Sequence, residues 1–250
     1  MEKKYNRNRI YIQPDEQEKI KHFRVLIGGA GIGSIIAECA LRMGFEDITI
    51  VDGSKVEESD LNCQDYQFTD IGSYKAEQLA KRLASINPKA NIKVINDFIT
   101  NDNVGKMLEG QDVTINALGF RNNIPFVFDK ICSERNITVL HPYNFGWAGF
   151  LTVVDPDGKS LQSLSDKTLD FDLKVTEYVL GYQAFWMQPQ EWLEKAVKQY
   201  QRENGTLPPP QLSVASWITA GLCTHALFNI ATGKDVKKFP KFYLSSIFQQ

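Results

Sequence analysis

From Arg24 onward the chain alternates short apolar runs with longer stretches in which apolar residues recur at helical spacing. Val25-Leu26-Ile27 is an apolar run ending in glycines, followed by a helical stretch over residues 33–43. Asp-Ile-Thr-Ile-Val-Asp at 47–52 is rich in β-branched residues and predicts a second strand. A helix over 74–86 carries Leu79 and Leu83 on one face and ends at Asn87-Pro88, a stop signal. Residues 92–95, 113–117 and 137–140 supply further strands, with helices at 103–108 and 124–134 between them. Strands separated by helices of this length pair in parallel through right-handed crossovers, so the pattern predicts a doubly wound, mostly parallel α/β sheet.

Past residue 148 the rhythm changes. A strand at 149–155 closes in the turn signal Asp155-Pro156-Asp157-Gly158. Residues 173–200 read as helix broken near Gln188-Pro189, and Gly205-Thr206-Leu207-Pro208-Pro209-Pro210 as a stiff linker. A long apolar helix spans 213–232 and stops at Gly233, and 239–248 reads as partly strand. The expectation is one domain over 1–250: an N-terminal arm (1–23), a nucleotide-binding half (24–155), and a helical insertion with a C-terminal part (156–250).

Composition narrows the function classes. With 43% hydrophobic and 23% charged residues, the 250-residue chain reads as an ordinary globular protein. A net charge of −2 argues against nucleic acid or an anionic membrane as partner. No run of about 18 apolar residues exists, so no segment is expected to span a bilayer, and the charged start Met1-Glu2-Lys3-Lys4-Tyr5 is unlike a signal peptide, which makes cytoplasm the expected compartment. The four cysteines are scattered without a Cys-x-x-Cys pair, so no zinc site is expected. Cys39, Cys132 and Cys223 read as small buried hydrophobes within helices. His141 and His225 read as packed and His22 as solvated, with no histidine constellation recommending a metal.

Gly29-Ala30-Gly31-Ile32-Gly33 lies between the first strand and first helix. Glycines there admit a phosphate close to the backbone, where the helix N-terminus supplies N–H donors. Close helix–strand packing demands the same residues. Asp52, about 20 residues after the glycines at the end of the second strand, stands where a ribose hydroxyl is gripped. These two features do not distinguish ATP from a nicotinamide cofactor.

Further motifs do. Tyr5-Asn6-Arg7-Asn8-Arg9-Ile10 and Gln17 precede the first strand, Ser54-Lys55-Val56-Glu57-Glu58-Ser59-Asp60-Leu61-Asn62-Cys63-Gln64 follows Asp52, and then come Asp70-Ile71-Gly72-Ser73-Tyr74-Lys75-Ala76, Ile86-Asn87-Pro88 and Ala231-Thr232-Gly233-Lys234. In this order and spacing the chain resembles the ThiF/MoeB/HesA adenylyltransferases, relatives of ubiquitin-activating enzymes, over nearly its whole length. The resemblance implies a Rossmann-like fold with ATP and magnesium as cofactors. The implied activity is adenylation of the C-terminal carboxylate of a small ubiquitin-like or sulfur-carrier protein, in a homodimer. It implies that Gly29, Gly31, Gly33, Asp52 and Gln64 bind the nucleotide. Lys75 would sit against the phosphates, and Arg9 or Arg7 would reach them across a dimer interface.

The sequence departs from the family pattern at the phosphate end. Cys63 stands where the family has an arginine, which removes a permanent cation with a bidentate fork. Asp60 stands where it has an asparagine. A negative charge about 4 Å from a phosphate costs roughly 4 kcal/mol at an effective dielectric near 20. Gly119, in Asn116-Ala117-Leu118-Gly119-Phe120-Arg121, replaces the magnesium-binding aspartate, and Ser54 replaces a second acid. Arg121 and Asp65 are the residues that stand in reserve as substitutes for the missing charge and the metal ligand. Cys63 reads as a neutral replacement rather than a nucleophile, because Asp60 opposes thiol ionisation.

Tyr178, Tyr182, Phe185, Trp186 and Trp192 crowd the helical insertion, either as core or as a partner surface. Three functions stay open from sequence: an adenylyltransferase, a catalytically degenerate nucleotide-binding or scaffold protein, and a nicotinamide oxidoreductase. The last leaves the Ser59–Gln64 and Gly72–Lys75 similarities without a reason.

Overall fold

A computed structural model describes residues 2–165, 167–168, 170–203 and 207–247. The expected linker residues Gly205 and Thr206, and Phe248 at the end of the expected last strand, lie outside these. The described strands form one sheet in the order β3-β2-β1-β4-β5-β6-β7. The strands are β1 (Arg24–Gly28), β2 (Asp47–Val51), β3 (Asn91–Ile95), β4 (Val113–Asn116), β5 (Thr138–Asn144), β6 (Gly149–Val154) and β7 (Tyr243–Ser245). The first five run parallel, whereas β5–β6 and β6–β7 pair antiparallel. The chain thus places β1 beside β4 at the point where strand order reverses, and ligands bind outside the carboxyl ends of such strands.

Helices α1 (Pro14–His22), α2 (Ile32–Met43), α3 (Lys75–Ile86), α4 (Val104–Met107), α5 (Ile124–Glu134), α6 (Phe171–Phe185), α7 (Glu191–Arg202) and α8 (Ser213–Ala231) flank the sheet. One core lies between the sheet and α2, α3 and α8, built on Ile27, Ile35, Leu41, Ile50, Leu79, Leu83, Ile115, Leu140 and Leu227. The other lies on the opposite face against α5 and α6, built on Leu26, Phe126, Phe128, Val139, Phe150, Phe171 and Val175. Both faces of β1 and β4 are covered, which explains the apolar run Val25-Leu26-Ile27 in β1 and the burial of every residue of β4, Thr114 and Asn116 included.

The N-terminal arm holds helix α1, which its charged sequence does not announce. Gln13 and Glu16 form a reciprocal cap, with Pro14 at the first turn. Buried Gln17 reaches back to the Met43 carbonyl. Tyr5 donates to Glu46 at 2.7 Å, and Glu46 also meets Lys4 at 2.7 Å. Glu46 and Met43 precede β2, so the arm sits at the amino ends of the strands.

Helix α8 corrects one expectation, that His225 is packed. It is long and apolar enough to cross a bilayer by composition, yet half of that stretch is buried against the protein. It packs on α2 and on β6, with Ala220, Cys223 and Leu227 fully buried. His225 is exposed rather than packed, on the outward side that also carries Val214 and Trp217. Because α8 is apolar nearly all round, periodicity does not reveal which side faces water. His22 is solvated beside Glu18.

Candidate functional site

The glycine loop leaves β1 as a bare backbone for identifiable reasons. Gly29 has φ +94°, and a Cβ there would stand 2.5 Å from the Ala117 carbonyl oxygen. A Cβ on Gly33 would stand 2.7 Å from Ile27 Cγ2. These two glycines are therefore required by packing against β4 and β1. Gly31 differs: the nearest atoms to a Cβ there belong to the Gln64 side chain, at 3.6 Å. No protein neighbour forbids a side chain at Gly31, so its bareness fits the close approach of a ligand instead.

Asp52 pins this loop. Its Oδ2 accepts the Ala30 N–H at 2.6 Å, and its Oδ1 accepts the Ser54 N–H at 2.6 Å. Tyr66 reaches in from the crossover segment and donates to the Ala30 carbonyl at 2.6 Å. Loop, strand exit and crossover are thus held in one frame at the carboxyl ends of β1 and β2.

At the far side of the frame three side chains close on one another. Lys75, at the first position of α3, lies 2.9 Å from Asp60 Oδ2 and donates to Gln64 Oε1 at 3.1 Å. Gln64 donates to Asp60 Oδ1 at 2.6 Å, and the Glu57 N–H reaches Asp60 Oδ2 at 2.8 Å. The Lys75 and Asp60 side chains are each 11% exposed. Asp60 is therefore not an uncompensated charge, as the sequence alone implies; Lys75 neutralises it. The cation expected against a phosphate is held by a carboxylate of its own chain.

The other expected residues fall in different places. Burial first, and then Asp60, pushes the Cys63 thiol up; Lys75 opposes this without reversing it. The protonated thiol faces Gln211 Oε1 at 3.4 Å, in keeping with the neutral reading. Gly119 is exposed with nothing within 4 Å of a built Cβ, and Arg121 is exposed beside it. Asp65 points away from the loop, toward Glu38 and to within 3.8 Å of Arg82, so it does not substitute as a metal ligand. Among the described residues no three His, Cys, Asp or Glu side chains gather as a metal would need. Arg7 and Arg9 lie on the arm at the opposite ends of the strands, where Arg9 donates to Asn6 O. They do not reach this chain's own glycine loop.

Beneath the exit of β4, Asn116 donates to Asp129 at 2.8 Å, and His141 Nε2 lies 3.0 Å from the other oxygen of Asp129. All three are buried, and the His141–Asp129 approach lacks the alignment of a hydrogen bond. Asn116 Oδ1 also faces the Leu118 N–H at 3.4 Å, so this group braces the turn that leads to Gly119.

Adjoining the frame is a cavity of about 610 Å³. Its walls come from the turn after β4, the end of β5, helices α6 and α7, and residues 209–212. That last segment is strapped down: Gln211 O accepts from Asn62, and the Leu212 carbonyl accepts from Asn144 at 2.8 Å. Sequence reasoning missed this cavity because no single stretch carries it. The aromatic insertion divides accordingly. Tyr178 and Tyr182 pack on Phe239 and Phe242, Trp192 lines the cavity, and Phe185 and Trp186 are exposed.

Comparison with known proteins matches the ThiF family model over residues 5–247. The chain is 26% identical over 171 residues to a SAMP-activating enzyme E1 of Haloferax volcanii, covering 64% of this chain and 61% of that protein. It is 36% identical over 95 residues to the tRNA threonylcarbamoyladenosine dehydratase of Escherichia coli, covering 37% of this chain and 35% of that one. The matches thus span about three-fifths of these curated relatives' length at most. A crystal structure of E. coli MccB with MccA superposes with a TM-score of 0.70 at 15% identity, over 100% of this chain and 73% of that one, a likeness of fold. The nearly full-length family match, the β1–β4 crevice and the glycine loop bound to Asp52 agree, and the chain belongs to the ThiF family.

Proposed function

We propose that this chain binds a nucleoside or nucleotide at the glycine loop without the adenylation of a carboxylate that its family resemblance implies. One observation carries the reading: Lys75 is held by Asp60 at 2.9 Å, with Gln64 bridging the pair. Adenylation proceeds by attack of a carboxylate on the α-phosphate of ATP, and its barrier falls as positioned cations take up the developing charge. Here Cys63 supplies no charge, Lys75 is neutralised, and a phosphate entering beside Asp60 meets a carboxylate.

The nucleoside end is better furnished. Gly31 offers bare backbone, the N-terminus of α2 points its N–H groups outward, and Asp52 supplies carboxylate lone pairs. Magnesium does not fit, because Gly119 offers no carboxylate and Asp65 faces Glu38. Losing one preorganised stabilising group slows turnover about a hundredfold to a thousandfold. The chain departs at several such positions together.

The second reading retains adenylation of a small ubiquitin-like or sulfur-carrier protein's C-terminal carboxylate within a homodimer. It is favoured by the position of Arg9, which faces away from its own site, and by the exposed Val214 and Trp217 on α8. Sedimentation of the purified chain tests the dimer.

Calorimetric titration with ATP and with adenosine, with and without magnesium, tests the first reading alongside carboxylate-dependent pyrophosphate exchange. Adenosine binding comparable to ATP, indifferent to magnesium and without exchange, is the expected result. Magnesium-dependent ATP binding with exchange would establish the second reading instead.

A further inference from the structure

The cavity beside the crevice has a chemistry of its own. Aromatic rings of Phe120, Phe145, Trp192 and Tyr200 make up much of its wall. Its charged side chains are Asp170 and Asp172, and among the described lining residues there is no Lys, Arg or His. Burial first, and then Asp170, pushes the Asp172 carboxyl up to about 6. No ion pair or side-chain hydrogen bond of Asp172 is found among the described residues, and a mostly buried anion without a partner is costly. Tyr143 adds a second unmet group, since its enclosed hydroxyl has no hydrogen-bond partner among the described residues. Asp172 is the charge that acts most strongly on that phenol, and both residues line the same cavity.

A carboxylate bordered by aromatic faces is the combination that recognises an organic cation. The carboxylate takes the N–H groups and the rings attract the charge through their faces. A volume of about 610 Å³ is that of a small-molecule site, within the roughly 300–1,000 Å³ such clefts occupy. We propose that this cavity binds a small primary amine carried on an aromatic or branched apolar body, with Asp172 holding the ammonium and Tyr143 in hydrogen-bonding contact beside it. The proposal stands apart from the neighbouring loop, because none of these groups belongs to the Asp52–Gly31 frame.

The test uses the full chain with 2-phenylethylamine as probe and 2-phenylethanol as its uncharged counterpart. Binding is followed by calorimetry and by the fluorescence of Trp147 and Trp192, both of which line the cavity. One amine is expected to bind per chain, at least about tenfold tighter than the alcohol, the ratio that one charge-assisted hydrogen bond supplies. Asp172→Asn is expected to erase that preference, and Tyr143→Phe to weaken the amine about threefold to tenfold. Equal binding of amine and alcohol would leave a plain apolar cavity and overturn the proposal. So would a preference that survives in Asp172→Asn, or the absence of saturable amine binding at millimolar concentration. The amine–alcohol comparison on the unmodified chain decides even where a variant fails to fold.

Discussion

Asp60 and Lys75 stand 2.9 Å apart, both nearly closed to solvent, and on the proposed reading this is the lysine that a phosphate would need to itself. The relationship is more than a surface ion pair, because Gln64 and the Glu57 N–H complete the hydrogen bonding of the carboxylate. A ligand phosphate must displace this arrangement or stop short of it. The difference between a nucleotide-binding protein and an adenylating one turns on that competition.

Asp60→Asn tests the competition directly. The amide keeps the shape and can still meet Gln64, but it no longer neutralises Lys75. ATP affinity is expected to rise about tenfold or more, each tenfold being about 1.4 kcal/mol, while adenosine affinity stays the same. Loss of the ion pair is expected to lower stability by about 1–3 kcal/mol in urea denaturation. An unchanged ATP:adenosine ratio would show that Asp60 does not guard the phosphate position.

Asp52→Ala separates the other end of the site. Asp52 accepts two backbone N–H groups at 2.6 Å, so its removal releases the glycine loop as well as any ribose contact. Expected are a loss of about 2–3 kcal/mol in stability and of adenosine binding altogether. Asp52→Asn keeps one acceptor oxygen, and its urea midpoint is expected to fall between those of the other two proteins.

How much of this was legible in the sequence depends on distance along the chain. The β1 run, the glycine loop and Asp52 are local patterns, and the structure places them together as the strand–helix rhythm implies. Gln64 and Lys75 came from motif resemblance, and both lie at the frame. The pairing of Asp60 with Lys75 was not legible, because a crossover segment folds back over 15 residues to bring them together and no period marks it. The cavity is harder still, since Gly119, Tyr143, Asp172, Trp192 and Gln211 meet only after five segments converge. The exposure of His225 is not legible for a different reason: an apolar helix gives no phase, and only its packing on α2 and β6 decides which side is wet.

Restoring the missing groups tests the reading from the opposite direction. A Cβ at Gly119 meets nothing within 4 Å, so an aspartate can begin there without a clash. At position 63 an arginine must displace the Gln211 contact, a hydrogen bond of 3.4 Å to a thiol. The combined variant Asp60→Asn, Cys63→Arg, Gly119→Asp is expected to gain magnesium-dependent ATP binding that the parent lacks. Carboxylate-dependent pyrophosphate exchange should rise at least about a hundredfold above the parent's background. A combined variant that folds yet binds ATP without responding to magnesium would mean that these three positions are not what silences the site.

Behind the loop, Glu38 and Asp65 share a pocket with two arginines. Arg82 and Arg42 each reach Glu38 at 2.7 Å, while Arg82 stands 3.8 Å from Asp65. Burial pushes Glu38 up, but hydrogen bonds from Asp65, Arg82 and Arg42 outweigh it and hold the carboxyl at about 2. Asp65 moves the other way, to about 7, through burial and then the hydrogen bond and charge of Glu38. An unfolded Asp releases its proton near 3.9, so between about pH 4 and pH 7 the native state holds a proton that the unfolded state has lost. Stability from this group is therefore fully present below about pH 4 and is lost as pH rises through about 7. Asp65→Asn supplies the N–H donor without a proton to lose. Its Tm is expected to exceed that of the parent by a few degrees at pH 8, with the gap closing toward pH 4. Melting curves across that range check it, and a gap that stays constant with pH would show that Asp65 is ionised in the folded chain throughout.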